Sequence, residues 1–188
     1  LAAALDGVTT AYLSGITLAI LDPAGRDRLL ATLAGRRVAF DPNLRRRLWE
    51  SDAIMCQTVT AAAAISEICL PSFDDEAGAF GDAGPDATAA RYARAGSAEV
   101  VVKNGTAPMV VGRAGQLHRF EPHLAVTPVD TTGAGDSFNA GYLCARLAGA
   151  DLATSVTAGQ ALAARVVQHP GALLPRDALQ SHILEIMP

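Results

Sequence analysis

Residues 126–148, VTPVDTTGAGDSFNAGYLCARLA, limit the fold more than any other stretch of the chain. A short apolar run with β-branched Val126 and Val129 ends in Asp130, Thr131 and Thr132. Gly133, Ala134 and Gly135 follow, then Asp136 and a helix-like segment. Two glycines flanking an alanine allow a tight turn that most side chains would obstruct. The first N–H groups of the helix it opens have no intrahelical partner, and the helix dipole lies behind them. Such a terminus can hold an anion. An acid at its mouth is stabilised as carboxylate and can accept a proton from a bound hydroxyl. Asp136 stands there. On spacing alone it could equally be a first-turn acid that only caps the helix. An anion cradle beside a base is what phosphoryl transfer to an alcohol needs.

Two common phosphate motifs are excluded. No Gly-Lys-Ser/Thr follows the turn, so it is not a Walker A loop. Phe138 stands where a dinucleotide fingerprint has its third glycine. The stretch DTTGAGDSF instead resembles the C-terminal signature of the ribokinase-like (PfkB) family of sugar kinases. The resemblance implies that Gly133, Ala134 and Gly135 form an anion hole for the transferred phosphate and that Asp136 is the catalytic base. It also implies ATP and Mg²⁺, and it allows a monovalent cation near Asp130.

Composition agrees with a layered α/β protein. Half of the 188 residues are hydrophobic, as buried parallel strands require. The length suits one domain with a full core, and 1–188 reads as a single domain without repeats or a linker. No apolar run reaches membrane-span length. The net charge of −4 argues against nucleic acid or an anionic membrane as partner, so a phosphate site must be local. Cys56, Cys69 and Cys144 are scattered and read as idle thiols of a reducing cytoplasm. His118 and His123 lack neighbours at zinc-ligand spacing. The chain opens on Leu1. Against the family it reads as the C-terminal three-fifths, lacking the N-terminal strands and lid, and as a homo-oligomer when full length.

In chain order, Val8–Ser14 reads as a strand, Asp22-Pro23 as a helix start and Gly35 as its stop. Val38–Phe40 is a second strand, which makes a βαβ unit. Asp41-Pro42-Asn43-Leu44-Arg45 follows at the strand's C-terminal end, where ligands bind in open α/β sheets. Asn43 offers donor and acceptor, and Arg45 a fork of donors to an anion. Arg46 and Arg47 read as solvated, and Trp49 as core. The run DPNLRRRLW is similar to a stretch in the 2-keto-3-deoxygluconate kinase and fructokinase branches, and in the first of these an Arg here meets the acceptor's carboxylate. A helix is expected over 58–65, a strand over 67–71, a helix over 86–95 ended by Gly96, and a buried strand over 99–103.

Further site residues rest on the resemblance. The family has Asn-x-x-Glu near Ser72–Glu76, whose polar groups help order magnesium. Here Glu76 matches the acid best and Asp75 second, both acting indirectly, while Ser72 or Phe73 replaces the Asn. An acid-rich helix N-terminus would look the same. The family's K-x-G-x-x-G meets Lys103 and Gly105, with Pro108 in place of the second glycine. Both residues would line the nucleotide, although Lys103 could also be an unengaged surface lysine. Gln160 either touches the adenine or is an ordinary exposed helix residue, and Gly171 belongs to a turn flanking the base. Phe138, Tyr142, Leu143 and Leu147 space one apolar helix face, with Gly141 expected to pack on the sheet. Asp151 should cap a helix to Val167, and a last helix is expected over 175–186.

Overall fold

The computed structural model describes residues 5–122 and 126–174. The expected final helix and His123 lie outside them. The chain forms two compact units, Leu1–Arg119 and Phe120–Pro188.

The first unit carries a sheet with strands in chain order: β1 (Thr10–Ser14), β2 (Arg37–Asp41), β3 (Ile68–Cys69), β4 (Glu99–Val102), β5 (Met109–Arg113) and β6 (Gln116–Phe120). β1 to β4 pair in parallel, and β4 pairs with β5 antiparallel. Parallel neighbours need crossovers, and helices supply them. These are α1 (Gly15–Ala19), α2 (Pro23–Leu33), α3 (Asp52–Ala64), α4 (Phe73–Phe80) and α5 (Pro85–Ala95). All four residues of β4 are buried, as expected of a strand covered on both faces.

The local chemistry explains the boundaries. Asp22 caps α2 by accepting from Gly25 N–H, and Pro23 fills the first turn. α3 starts six residues earlier than expected, because Ser51 accepts from Ile54 N–H and Asp52 suits the dipole. A capped start outweighs the alanine run that marked only the helix's end. The acids at 74–76 do form a helix N-terminus, that of α4. The strand expected over 67–71 shortens to the two residues of β3, since Pro71 has no N–H for a ladder. The core joins Leu13, Val38, Phe40, Met55, Val59, Tyr92, Val100 and Val110.

The second unit holds α6 (Ala134–Leu147) and α7 (Leu152–Val166), which pack closely on each other. Phe138 and Tyr142 stack with centroids 5.9 Å apart, and both are buried. Leu147 departs from the expected apolar face and is exposed. Gly141 packs on α7 rather than on the sheet. A Cβ there would lie 2.6 Å from the Ala158 carbonyl oxygen, so the two helix backbones approach too closely for any larger residue.

Candidate functional site

The C-terminal ends of β2, β3 and β4 gather charged groups. Backbone bonds continue the parallel ladder past the strands. Leu70 N–H donates to Phe40 O (2.9 Å), Lys103 N–H to Pro71 O (2.9 Å) and Phe73 N–H to Lys103 O (2.8 Å). This brings Asp41 and Lys103 to one place, with Nζ 3.5 Å from Oδ2 and side chains only 5% and 11% exposed. Lys103 is therefore an engaged lysine. Asp41 was not singled out in the sequence, because its partner lies 62 positions away, 103 − 41. Beyond Lys103 the chain turns at Gly105, exposed and left-handed at φ +56°.

The loop of residues 42–45 leaves β2 at this point. Asn43 N–H donates to Asp41 Oδ1 (3.1 Å). Asn43 holds φ +37°, a conformation uncommon outside glycine that asparagine tolerates better than most. Arg45 N–H then donates to Asn43 O (2.8 Å). The exposed Arg45 guanidinium stands 3.7 Å from Asp75 Oδ2. Burial pushes the Asp75 carboxyl up, and Arg45 opposes the shift. Arg46 and Arg47 are exposed as expected, Arg46 pairing with Asp52. Trp49 is buried under Arg26, whose Cζ lies 5.0 Å from the ring centroid.

Glu76, the first choice for the metal-ordering acid, sits differently. Its side chain is fully buried. Oε2 accepts from Arg91 (2.6 Å) and Oε1 from the Tyr92 hydroxyl (3.0 Å). Arg91 also binds Asp82 and lies over the Phe80 ring at 3.6 Å. The reason is helical geometry: a one-residue step turns a side chain about 100° around the axis. Asp75 therefore faces Arg45, while Glu76 points to α5. Sequence reasoning missed Arg91, Tyr92 and Asp82, and no motif marks them. Among the described residues, no group of three or more His, Cys, Asp or Glu stands together to hold a metal. Magnesium usually takes one or two carboxylates with waters and substrate phosphates. Asp75 fits that use; Glu76, with both oxygens bonded, does not.

In the second unit Gly133 precedes α6 at φ +77°. A Cβ there would lie 2.8 Å from the Ala172 Cβ, so the position needs glycine for both backbone and space. No side chain caps α6. Ala134 N–H donates to Thr131 O (3.2 Å), which tightens the turn. Gly135 lies in the first helical turn with Asp136, and the Asp136 side chain is exposed. Asp130 ties this turn to the 171 turn: Oδ1 accepts from Thr132 N–H and Oδ2 from Gly171 N–H, each at 2.9 Å. The Thr132 hydroxyl and these amides hold Asp130 below its ordinary value. Gln160 on α7 is half-buried and donates from Nε2 to Glu121 O (3.1 Å).

No helix among the described residues is long and apolar enough to cross a membrane. The chain is 39% identical over 176 residues to the 2-dehydro-3-deoxygluconokinase of Escherichia coli K12, covering 89% of this chain and 57% of that protein. It thus spans little over half the length of that relative. Among solved structures, a PfkB protein from Polaromonas sp. JS666 superposes with a TM-score of 0.78 at 29% identity, over 96% of this chain and 59% of that one. A Vibrio cholerae O395 fructokinase, solved with fructose, ADP and calcium, gives 0.77 at 26% identity over 92% and 60%. The match to pfkB family carbohydrate kinases runs over residues 2–179, and with the mostly parallel sheet and the Gly133–Asp136 turn it establishes that the chain belongs to that family.

Proposed function

We propose that this chain is the C-terminal part of a cytoplasmic sugar-acid kinase that moves the γ-phosphoryl group of ATP to the 6-hydroxyl of 2-keto-3-deoxygluconate. The observation that carries the reading is the start of α6. There Gly133 opens a 14-residue helix without a side-chain cap, and Asp136 stands exposed in its first turn. In this reading Asp136 accepts the proton of the attacking hydroxyl. The Gly133–Gly135 turn stabilises the charge that develops on the phosphoryl oxygens. Arg45 meets the carboxylate of the acceptor and Asn43 its hydroxyls. Lys103, Gly105, Gln160 and Gly171 line the nucleotide. Asp75, rather than Glu76, would help hold magnesium, and the ion would neutralise phosphate charge.

The acceptor assignment is supported by Arg45 and by the name of the Escherichia coli relative. The fructokinase likeness supports a neutral hexose as second reading. A coupled ADP-release assay of the full-length protein over sugars and sugar acids tests both. Turnover with the keto-deoxy acid well above that with fructose or ribose is expected. Preference for a neutral sugar would replace the acceptor. ADP release with none of them would leave a nucleotide-binding protein without catalysis. The same reading expects a homo-oligomer, which light scattering checks.

A further inference from the structure

The Asp41 carboxylate touches two parts of the strand-end site at once. Asp41 is the last residue of β2, and its side chain is 5% exposed. Burying a carboxylate is costly unless its oxygens are bonded. One oxygen accepts from Asn43 N–H at 3.1 Å and the other faces Lys103 Nζ at 3.5 Å. Asn43 needs a hold, because φ +37° is unfavourable for a residue with a Cβ. Lys103 needs one too, because its ammonium is almost buried. The loop that Asn43 begins also carries Arg45, while Lys103 ends β4.

We infer that Asp41 is a positioning residue that locks the acceptor loop and the nucleotide-side lysine to one carboxylate. The inference rests on the sugar-kinase reading above. Each oxygen serves one substrate: Oδ1 fixes the loop for the acceptor, and Oδ2 fixes Lys103 for the phosphates of ATP. The two tasks are therefore separable by substitution.

Asp41→Asn keeps an oxygen for Asn43 N–H and removes the charge facing Lys103. In the full-length protein it should raise KM for ATP about tenfold and leave KM for the acceptor within about twofold. Asp41→Ala removes both holds, so KM for the acceptor should rise as well, by about fivefold or more. Lys103→Met should raise KM for ATP alone, and adding Asp41→Asn to it should cost nothing further. A merely structural role would lower the melting temperature and shift both KM values together in every variant. That pattern, or additive effects in the double variant, would overturn the inference. If Asp41→Ala does not fold, the Asp41→Asn and Lys103→Met cycle decides alone. Wild-type protein that releases no ADP with any acceptor refutes the parent reading and this one with it. Active wild type with unchanged Asp41 variants refutes this one only.

Discussion

The strand ends of the first unit and the helix start of the second present polarity in different materials. At the strand ends it resides in side chains set against each other, Asp41 with Lys103 and Arg45 with Asp75. At the start of α6 it resides in the backbone: a left-handed Gly133, a helix dipole and no side-chain cap. Exposed side-chain polarity, as at Arg45 and Asp75, can be retuned by one substitution without altering the fold. Backbone polarity is set by the turn and is lost only when the turn is lost. Under the proposed kinase reading, Arg45 in the first region would tell one acceptor from another, and the second region would serve the step every acceptor shares.

The sharpest way to break this contrast is to change the exposed acid in the first turn of α6. Asp136→Asn should lower turnover about 10²–10⁴-fold and leave ATP affinity nearly unchanged, because a base acts on the acceptor hydroxyl. Single-turnover kinetics with calorimetry of ATP binding separates the two. Turnover within a factor of two of wild type would remove Asp136 from the chemistry.

Arg45→Ala probes the other region. A charge-assisted bond to a carboxylate is worth roughly 1.5–3 kcal/mol, so KM for a sugar acid should rise about ten- to a hundredfold. A neutral sugar has no carboxylate to lose and should change far less. Asp75 also loses its ionic neighbour in this variant, so KM for ATP serves as the control. A rise in KM for ATP alone would put Arg45 on the nucleotide side, directly or through Asp75.

The same contrast governs what could be read from the sequence. The α6 start is written in consecutive residues, 130–136, so the turn and its acid were legible at once. The strand ends assemble from positions near 41, 75 and 103, and their pairing needs the sheet register. Asp41 passed unnoticed for that reason. Glu76 matches the family motif better than Asp75 because a motif fixes spacing loosely, whereas the helix phase of α4 decides which acid faces Arg45. The parallel order was legible, since βαβ spacing and buried apolar runs specify it. The long α3 was not, because its Ser51 cap lies outside any apolar pattern. Gly141 was recognised as a packing position, but its partner was not, since nothing local tells α7 from a sheet.

The Glu76 network gives the first unit a pH dependence. Burial pushes the Glu76 carboxyl up to about 7, while Arg91 and the Tyr92 hydroxyl pull against it. A carboxyl raised in the fold binds its proton more tightly there than in the unfolded chain. Its contribution to stability therefore falls as pH rises from the ordinary glutamate value to the raised one, and is level above that. Glu76→Gln cannot titrate. The stability difference between variant and wild type should move in the variant's favour, by on the order of 1 kcal/mol, between about pH 5 and about pH 8. Urea midpoints at the two pH values measure it. Parallel pH profiles would mean that Arg91 keeps Glu76 ionised throughout.

The smallest effect is expected inside the second unit, where two helix starts can be compared directly. α7 is capped: Asp151 Oδ1 accepts from Thr154 N–H at 2.8 Å, and that bond holds the Asp151 carboxyl below its ordinary value. α6 has no such cap. If a side-chain cap only satisfies helix donors, Asp151→Ala should cost stability and nothing else. The melting temperature should fall by about a few degrees. A depressed acid contributes above its unfolded value and loses that contribution as pH falls through the folded one, so the two proteins should converge in acid. KM values for ATP and acceptor should stay within about twofold of wild type, since Asp151 is exposed and is not among the residues proposed to bind either substrate. A large rise in KM for ATP would show that the start of α7 shares the work assigned to the start of α6, and the distinction between a donor set that is capped and one left for a ligand would fall.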